Sequence, residues 1–147
     1  MFEEQLSQGI ISYIKNEGYT PFLEIPHFAG KIDFLGVNRS ECIVIESKVS
    51  KWKDALKQAI RYGYGAEKAY VALPSPTAKY VAKNFKEKFE FYGIGLIEAN
   101  ENCAVVLIES KHKEASPIFK QILIDQAKNR LQKSQSRVGQ FIVRFRK

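Results

Sequence analysis

The sequence predicts an α/β protein in which helices flank a mixed β-sheet. Two short apolar runs, 31–37 and 41–47, have the length and composition of strands, and a turn at 38–41 joins them. A helical pattern at 52–68 leads into a third apolar run, 69–73, which Pro74 ends. The turn favours an antiparallel pair, whereas the helix favours a crossover to a parallel neighbour.

The remaining elements follow from periodicity and from helix-breaking residues. Residues 2–17 form an amphipathic helical pattern that Gly18 ends, with apolar side chains at positions 2, 6, 10, 13 and 14. A strand is predicted at 19–25, and Pro76 can open a helix that runs to about residue 92. Strands at 94–98 and 103–109 complete the predicted sheet.

Composition sets the broad class. A chain of 147 residues, 45% of them hydrophobic, fits one soluble domain with a sizeable core. No apolar run approaches the ~20 residues of a membrane helix, and the N-terminus lacks the pattern of a signal peptide. Cys42 and Cys103 lie in apolar runs and are expected to be buried thiols, which favours a cytoplasmic protein. His27 and His112 are isolated, are expected in loops and receive no role.

Positive charge is concentrated in the last quarter of the chain. Residues 1–110 hold 13 basic and 14 acidic side chains, whereas residues 111–147 hold 10 and 2. We therefore expect a core at 1–110 and a basic appendage at 111–147 that packs on it and attracts a polyanion. The alternative is a solubilising tail.

The appendage is predicted to contain a helix from Pro117 to Gln135 and a short strand from Phe141 to Phe145. It would grip a nucleic acid backbone or complete a dimer interface. The apolar residues expected to face the core or a partner are Ile118, Ile122, Ala127 and Leu131. The basic residues expected to face outward or trail the strand are Lys120, Lys128, Arg130, Lys133, Arg144 and Arg146.

Asp33, Glu46 and Lys48 have the clearest chemical meaning. Side chains of a strand alternate between its faces, so Glu46 and Lys48 share one face. The run 43–45 before them is apolar on both faces, which is typical of a central strand, and charges buried there need partners or a metal. An exposed ion pair at the strand end is the alternative. Antiparallel pairing would bring Asp33 opposite Glu46.

These residue types suit a divalent cation. Mg²⁺ takes oxygen ligands and usually only one or two protein carboxylates, which Asp33, Glu46 and the backbone carbonyl of Ser47 would supply. Lys48 would stabilise a crowded phosphate or hold an attacking water. Glu3 falls inside the apolar stripe of the first helix and Glu4 outside it, so Glu3 is the better candidate to face the site. Glu24 is either a further acidic candidate or an edge-strand charge that discourages pairing with other chains.

The ordered set Asp33, Glu46, Ser47 and Lys48 resembles the PD-(D/E)XK nuclease superfamily, which includes restriction endonucleases, Holliday-junction resolvases and RecB-type exonuclease domains. The approach from Gly30 to Asp33 looks like that family's, although the proline that names the motif is absent. Gln58 and Tyr62 are similar to the Q-x-x-x-Y signature of the RecB-like branch, and Glu3 is similar to an additional acidic residue beside the metals. The resemblance covers roughly residues 2–110.

The resemblance implies a restriction-endonuclease-like fold and a metal-dependent deoxyribonuclease of restriction, repair or recombination type. It implies that Asp33 and Glu46 bind Mg²⁺, with Mn²⁺ as a substitute, that Lys48 assists the attacking water or the transition state, and that Glu3 and Gln58 orient them. In-line hydrolysis would leave a 5′-phosphate, and Tyr62 would lie near the DNA backbone. A homodimer would suit double-strand or four-way-junction cutting. The alternatives are a catalytically inactive nucleic-acid-binding module and a structural subunit of a larger complex.

Overall fold

A computed structural model describes the backbone of residues 3–28 and 30–142, with side chains as far as residue 133. Six strands form one mixed sheet in the order β1 to β6, as the sequence predicts for an α/β fold. The pairs β1–β2, β2–β3 and β5–β6 are antiparallel, and β3–β4 and β4–β5 are parallel. The strands are β1 (Thr20–His27), β2 (Gly30–Val37), β3 (Cys42–Ser47), β4 (Lys68–Leu73), β5 (Gly95–Ala99) and β6 (Ala104–Ile108).

Helices cover both faces of this sheet. Among the described residues, one face is covered by α1 and the 3-10 turn before it, whose Leu6, Ile10 and Ile14 side chains are fully buried. The other face carries residues from the remaining helices, which connect the parallel strands or follow the last strand. The helices are α1 (Ser7–Asn16, after a 3-10 turn at Glu3–Leu6), α2 (Trp52–Tyr62, followed by a 3-10 turn at Gly63–Gly65), α3 (Thr77–Asn84), α4 (Lys86–Tyr92) and α5 (Pro117–Ile142).

Two predicted helices are shorter than expected. The helix predicted at 52–68 ends at Tyr62, where Gly63 and Gly65 form a tighter turn before β4. The helix predicted to run to residue 92 is broken at Phe85, whose φ of −131° is not helical. The centroid of the Phe85 ring lies 4.6 Å from that of the Trp52 ring, so Phe85 makes an aromatic contact at the point where the helix is interrupted.

The C-terminal predictions need two corrections. The strand predicted from Phe141 is wrong for 141–142, which continue α5, and positions 143–145 lie outside the described residues. The predicted inner face is confirmed at Ala127, which is buried, but is wrong at Ile118 and Leu131, which are 73% and 48% exposed. Leu123, which was not predicted to face inward, is fully buried. Apolar residues occur all around this helix, so periodicity alone left its docking face ambiguous.

Strands β1 and β2 bend together at one position, and the bend shapes the site. Phe22 and Ile25, three residues apart, both lie in the core layer beneath α2, and so do Ile32 and Leu35 on β2. In a regular strand, residues three apart face opposite sides. The register confirms the irregularity, since Leu23 pairs with Phe34 and Ile25 with Ile32 while the position between them is unpaired.

The residue in β1 at this bend is Glu24, which has a φ of +52°. Such a left-handed backbone is uncommon for a residue with a Cβ, so neighbouring contacts must hold it. None of the helices in the described ranges is long and apolar enough to cross a membrane.

Candidate active site

Asp33 and Glu46 meet where β2 and β3 separate. The predicted antiparallel pairing is confirmed, and the backbone ladder between these strands ends at the Phe34–Ile45 pair, one position before them. Side chains then replace the ladder. The Asp33 N–H donates to Glu46 Oε2 at 3.1 Å, and the Ser47 N–H donates to Asp33 Oδ2 at 2.9 Å. The exchange fixes both carboxylates side by side.

Glu46 is the most unusual charged residue of this site. Its side chain has no solvent exposure, and its Oε1 has no hydrogen-bond partner among the described residues. Burial raises the pKa of Glu46 to about 9, and the neighbouring Asp33 carboxylate contributes in the same direction. A buried carboxylate with a free oxygen is costly unless a proton or a cation neutralises it.

Asp33 is half-buried, whereas the Glu46 beside it is fully buried. Burial raises its pKa, and the hydrogen bond from the Ser47 N–H works against this rise by stabilising the charged form. Lys48 also lowers the pKa of both carboxylates through its charge. The lysine is thus close enough for its field to act on the pair, as its position two residues after Glu46 predicts.

The Ser47 backbone adds a further oxygen. In an extended residue the N–H and C=O point towards the same edge of the strand. Because the Ser47 N–H points to Asp33 on β2, its carbonyl faces that edge too. The next residue faces the other way, since the Lys48 N–H donates to the Ala72 carbonyl of β4 at 3.2 Å. The Asp33 carboxylate, the Glu46 carboxylate and the Ser47 carbonyl therefore converge on one side of β3.

A cleft of about 150 Å³ opens in front of these groups. Asp33 and Ser47 line it, whereas the fully buried Glu46 is not among its lining residues and contacts it only through its neighbour Asp33. The 3-10 turn before α1 contributes Glu3, which the sequence favours as the residue facing the site, and Glu4 lines the cleft as well. In the described part of the chain, no three His, Cys, Asp or Glu side chains converge as a metal site. The candidate donor set is thus two carboxylates and a carbonyl.

The two Q-x-x-x-Y residues lie on α2 but do not meet the carboxylates. Tyr62 is 4% exposed, its ring lies 5.1 Å from the His27 ring, and a side chain at Gly30 would collide with its hydroxyl. The prediction that Tyr62 contacts DNA is therefore wrong, since the β1–β2 hairpin covers it. Gln58 is half-buried. Within the described residues it makes no hydrogen bond to Asp33, Glu46 or Lys48, and its orienting role stays a prediction.

Two of the basic residues predicted to face outward make structural contacts instead. Lys120 Nζ donates to Glu67 Oε2 at 2.7 Å and to the Ser40 carbonyl at 2.6 Å. Arg130 donates to backbone carbonyls of β1. Lys128 and Lys133 are exposed on α5, and Arg144 and Arg146 lie outside the described residues. A role in nucleic acid binding stays a prediction for these four.

Two other expectations were wrong, and one residue was overlooked. His27 belongs to β1 and is buried rather than in a loop, because the bend turns it towards Tyr62. Cys103 is exposed, since it lies in the turn before β6, whereas Cys42 is a buried thiol as predicted. Burial raises the pKa of Cys42 to about 11, which keeps the thiol protonated. Glu67 was overlooked, because its partners lie far from it in the sequence.

The fold and the site define an α/β protein with a mixed six-stranded sheet and a paired, buried acidic centre at a strand end. Neither a scan of protein-family models nor a search of curated proteins finds a match. Among solved structures, the SPO1766 protein of unknown function from Silicibacter pomeroyi shares the fold. It has 19% sequence identity and a TM-score of 0.72, and the match covers 92% of this chain and 90% of that one.

Two further structures are similar over less of the chain. An XisH family protein from Nostoc punctiforme has 18% identity and a TM-score of 0.49, over 71% of this chain and 95% of that one. SfsA from Pyrococcus furiosus, solved in complex with Ca²⁺, has 13% identity and a TM-score of 0.38, over 76% and 62%. Both TM-scores are below 0.5, and only the likeness to SPO1766, among these three structures, is strong enough to indicate a shared fold.

Proposed function

We propose that this chain is a Mg²⁺-dependent deoxyribonuclease with a restriction-endonuclease-like fold. The observation that carries the proposal is the buried Glu46 Oε1, which has no hydrogen-bond partner among the described residues. Glu46 lies beside Asp33, which lines an open cleft. A structural glutamate in such a place would have both oxygens satisfied, because an unpaired buried charge is strongly destabilising. A site that binds a cation leaves such an oxygen free for its ligand.

The residues present fit a hard divalent cation. Asp33, Glu46 and the Ser47 carbonyl would hold it, and two carboxylates match the number that Mg²⁺ usually takes from a protein. The raised pKa values of Asp33 and Glu46 also favour a cation site, since each carboxylate needs positive charge nearby to stay ionised. Mn²⁺ accepts the same oxygen ligands and would substitute.

When bound, the metal lowers the pKa of a coordinated water and offsets negative charge on the phosphate. Asp33 and Glu46 orient this centre through the reciprocal hydrogen bonds at the strand ends. Lys48 supplies a compact positive charge for the crowded phosphate or holds the attacking water. Glu3 would orient these groups from the 3-10 turn at the cleft mouth, and hydrolysis would leave a 5′-phosphate.

DNA is the proposed substrate because its phosphates would bind the metal in the acidic cleft and the basic side chains of α5. The cleft carboxylates repel phosphate unless a metal is present, whereas the exposed Lys128 and Lys133 of α5 attract the backbone. This arrangement would make productive binding depend on the metal. A homodimer would suit double-strand cutting.

The test is cleavage of labelled linear duplex, nicked, single-stranded and four-way-junction DNA with Mg²⁺ or Mn²⁺. We expect metal-dependent cutting that is lost in Asp33→Asn and Lys48→Met, both of which keep the side-chain shape. Glu87→Gln is the matched control, since it removes one exposed carboxylate on α4. Binding without cutting by the wild type, with either metal, would sink the nuclease and favour a silent DNA-binding module.

A further inference from the structure

Arg130 of α5 binds two consecutive backbone carbonyls of β1. Its Nη1 donates to the Leu23 carbonyl at 2.7 Å and its Nη2 to the Glu24 carbonyl at 3.0 Å. The planar guanidinium presents its donors in a rigid fork, which a lysine lacks. The contact joins residues more than a hundred positions apart in the chain.

The contact exists only because β1 is bent. In a regular strand, consecutive carbonyls point to opposite edges, so one guanidinium does not reach both. At Glu24 the φ of +52° turns the backbone and brings the two carbonyls to the same side. Because this conformation is disfavoured for a residue with a Cβ, the bend needs a restraint, and Arg130 supplies one.

The bend lies directly beside the acidic centre. Glu24 is at the unpaired position of the β1–β2 register, opposite Asp33. Asp33 faces β3 instead, through its N–H to Glu46 and its carboxylate to the Ser47 N–H. If β1 straightened, regular pairing would extend through this position and rotate Asp33 away from that geometry.

We propose that Arg130 is a positioning residue for the acidic centre: its grip on β1 holds the bend at Glu24 and thereby the placement of Asp33. The inference rests on the proposed function in that the centre is taken to bind a divalent cation. It adds that α5 determines how strongly the cation binds, although none of its described side chains, up to residue 133, lines the cleft. The exposed Lys128 lies on the same helix as Arg130, so DNA bound at Lys128 would contact the helix that restrains β1.

The variants distinguish the two-pronged contact of the Arg130 guanidinium from the effect of its charge and from changes in helix stability. Arg130→Lys keeps the charge but loses the two-pronged contact, and Arg130→Gln loses both. Asn129→Ala changes the exposed neighbour and is the control. Glu24→Gly is the rescue, since glycine adopts a positive φ without a steric penalty and no longer needs the restraint. Because Glu24 also lines the cleft, the double variant is compared with Glu24→Gly alone.

Two measurements apply to the folded protein, well below its melting temperature. Titration calorimetry gives the Mg²⁺ dissociation constant, and NMR gives hydrogen exchange at the Asp33 and Ser47 amides, whose hydrogen bonds define the centre. We expect Arg130→Lys to weaken Mg²⁺ binding by about 10- to 100-fold, the usual effect of losing a group that orients a ligand. Both amides should exchange faster, Asn129→Ala should change neither quantity, and Glu24→Gly should restore most of both in the Arg130→Lys background.

Unchanged affinity and unchanged exchange in Arg130→Lys and Arg130→Gln would overturn the proposal. So would a loss that Glu24→Gly fails to restore, because Arg130 would then stabilise the fold in general rather than the bend. If the wild type binds no metal, the proposed function fails, and the exchange of the two amides with its rescue still decides whether Arg130 positions Asp33.

Discussion

Two buried glutamates beside opposite ends of β3 differ in one respect. Glu67 follows the turn after α2, and both of its oxygens are satisfied: Oε1 accepts the Cys42 N–H at 2.8 Å and Oε2 pairs with Lys120 at 2.7 Å. Glu46, at the other end, has one oxygen bonded to the Asp33 N–H and one with no partner among the described residues.

The difference distinguishes a carboxylate that holds the fold together from one that is available for chemistry. Glu67 joins β3, the turn before β4 and α5, and its charge is neutralised by a lysine. Glu46 has an acidic neighbour instead of a basic one at hydrogen-bonding distance. Burial alone therefore does not indicate a functional acid, and the unsatisfied oxygen of Glu46 is the difference on which its proposed role rests.

The largest expected effect contrasts these two residues in catalysis. Glu46→Gln removes a proposed metal ligand and should lower kcat for DNA cleavage by at least about 10²- to 10³-fold, the effect of losing one electrostatic group at a reacting centre. Glu67→Gln should leave kcat within a few-fold of wild type, since Glu67 is at the far end of β3. Steady-state kinetics at saturating Mg²⁺ checks both, and equal losses in the two variants would refute the distinction.

The next effect is on stability and pH. The pKa of Glu46 rises from an ordinary 4.5 to about 9, so between these pH values the folded, metal-free protein holds a proton that the unfolded chain has released. Its stability should fall as pH increases through this window, by up to about 1.4 kcal/mol per pH unit. The raised pKa of Asp33 acts in the same direction.

Denaturant titrations from pH 5 to 9 measure this slope with and without Mg²⁺. Glu46→Gln should flatten it, because glutamine has no proton to hold. Mg²⁺ at a hundred times its dissociation constant should stabilise the wild type and Glu67→Gln by about 2.7 kcal/mol, but not Glu46→Gln. A slope that Glu46→Gln leaves intact would show that another group titrates.

The Glu46 centre was open to prediction from the sequence, because its signals are local. The period of a strand placed Glu46 and Lys48 on one face, and the turn at 38–41 joined two runs whose pairing brings Asp33 opposite Glu46. The crossover through α2 gave the parallel β3–β4 pair. These steps need only neighbouring residues and general topology.

The parts that escaped prediction depend on how α5 docks. The partners of Lys120 and Arg130 lie more than fifty positions away, and an apolar pattern around the whole helix leaves open which side chains face the core. Glu24 offers no local signal either, since glycine and asparagine are the residues typical of a positive φ. The sequence thus defined the charged centre, but not the contacts that hold its surroundings in place.

A smaller effect tests the structural glutamate. Lys120→Met should destabilise the protein by about 1–3 kcal/mol, because it leaves Glu67 without a counter-charge and the Ser40 carbonyl without its donor. The value is moderate since the lysine side chain is 23% exposed. Glu67→Gln combined with Lys120→Met should cost less than the sum of the single changes in denaturant titrations. Additive costs would mean that the pair contributes nothing as a pair.

The smallest effect per residue concerns the lysines of α5 that make no structural contact. Lys128→Gln with Lys133→Gln should weaken duplex binding and reduce the slope of log affinity against log salt by about 2, one phosphate contact for each lysine. Lys15→Gln is the matched control, because Lys15 is an exposed lysine on α1, on the other face of the sheet. Fluorescence anisotropy across a salt series measures the slope with Ca²⁺ in place of Mg²⁺. An equal reduction in the Lys15 variant would indicate attraction by overall charge. It would contradict the prediction that α5 is a DNA-contacting surface.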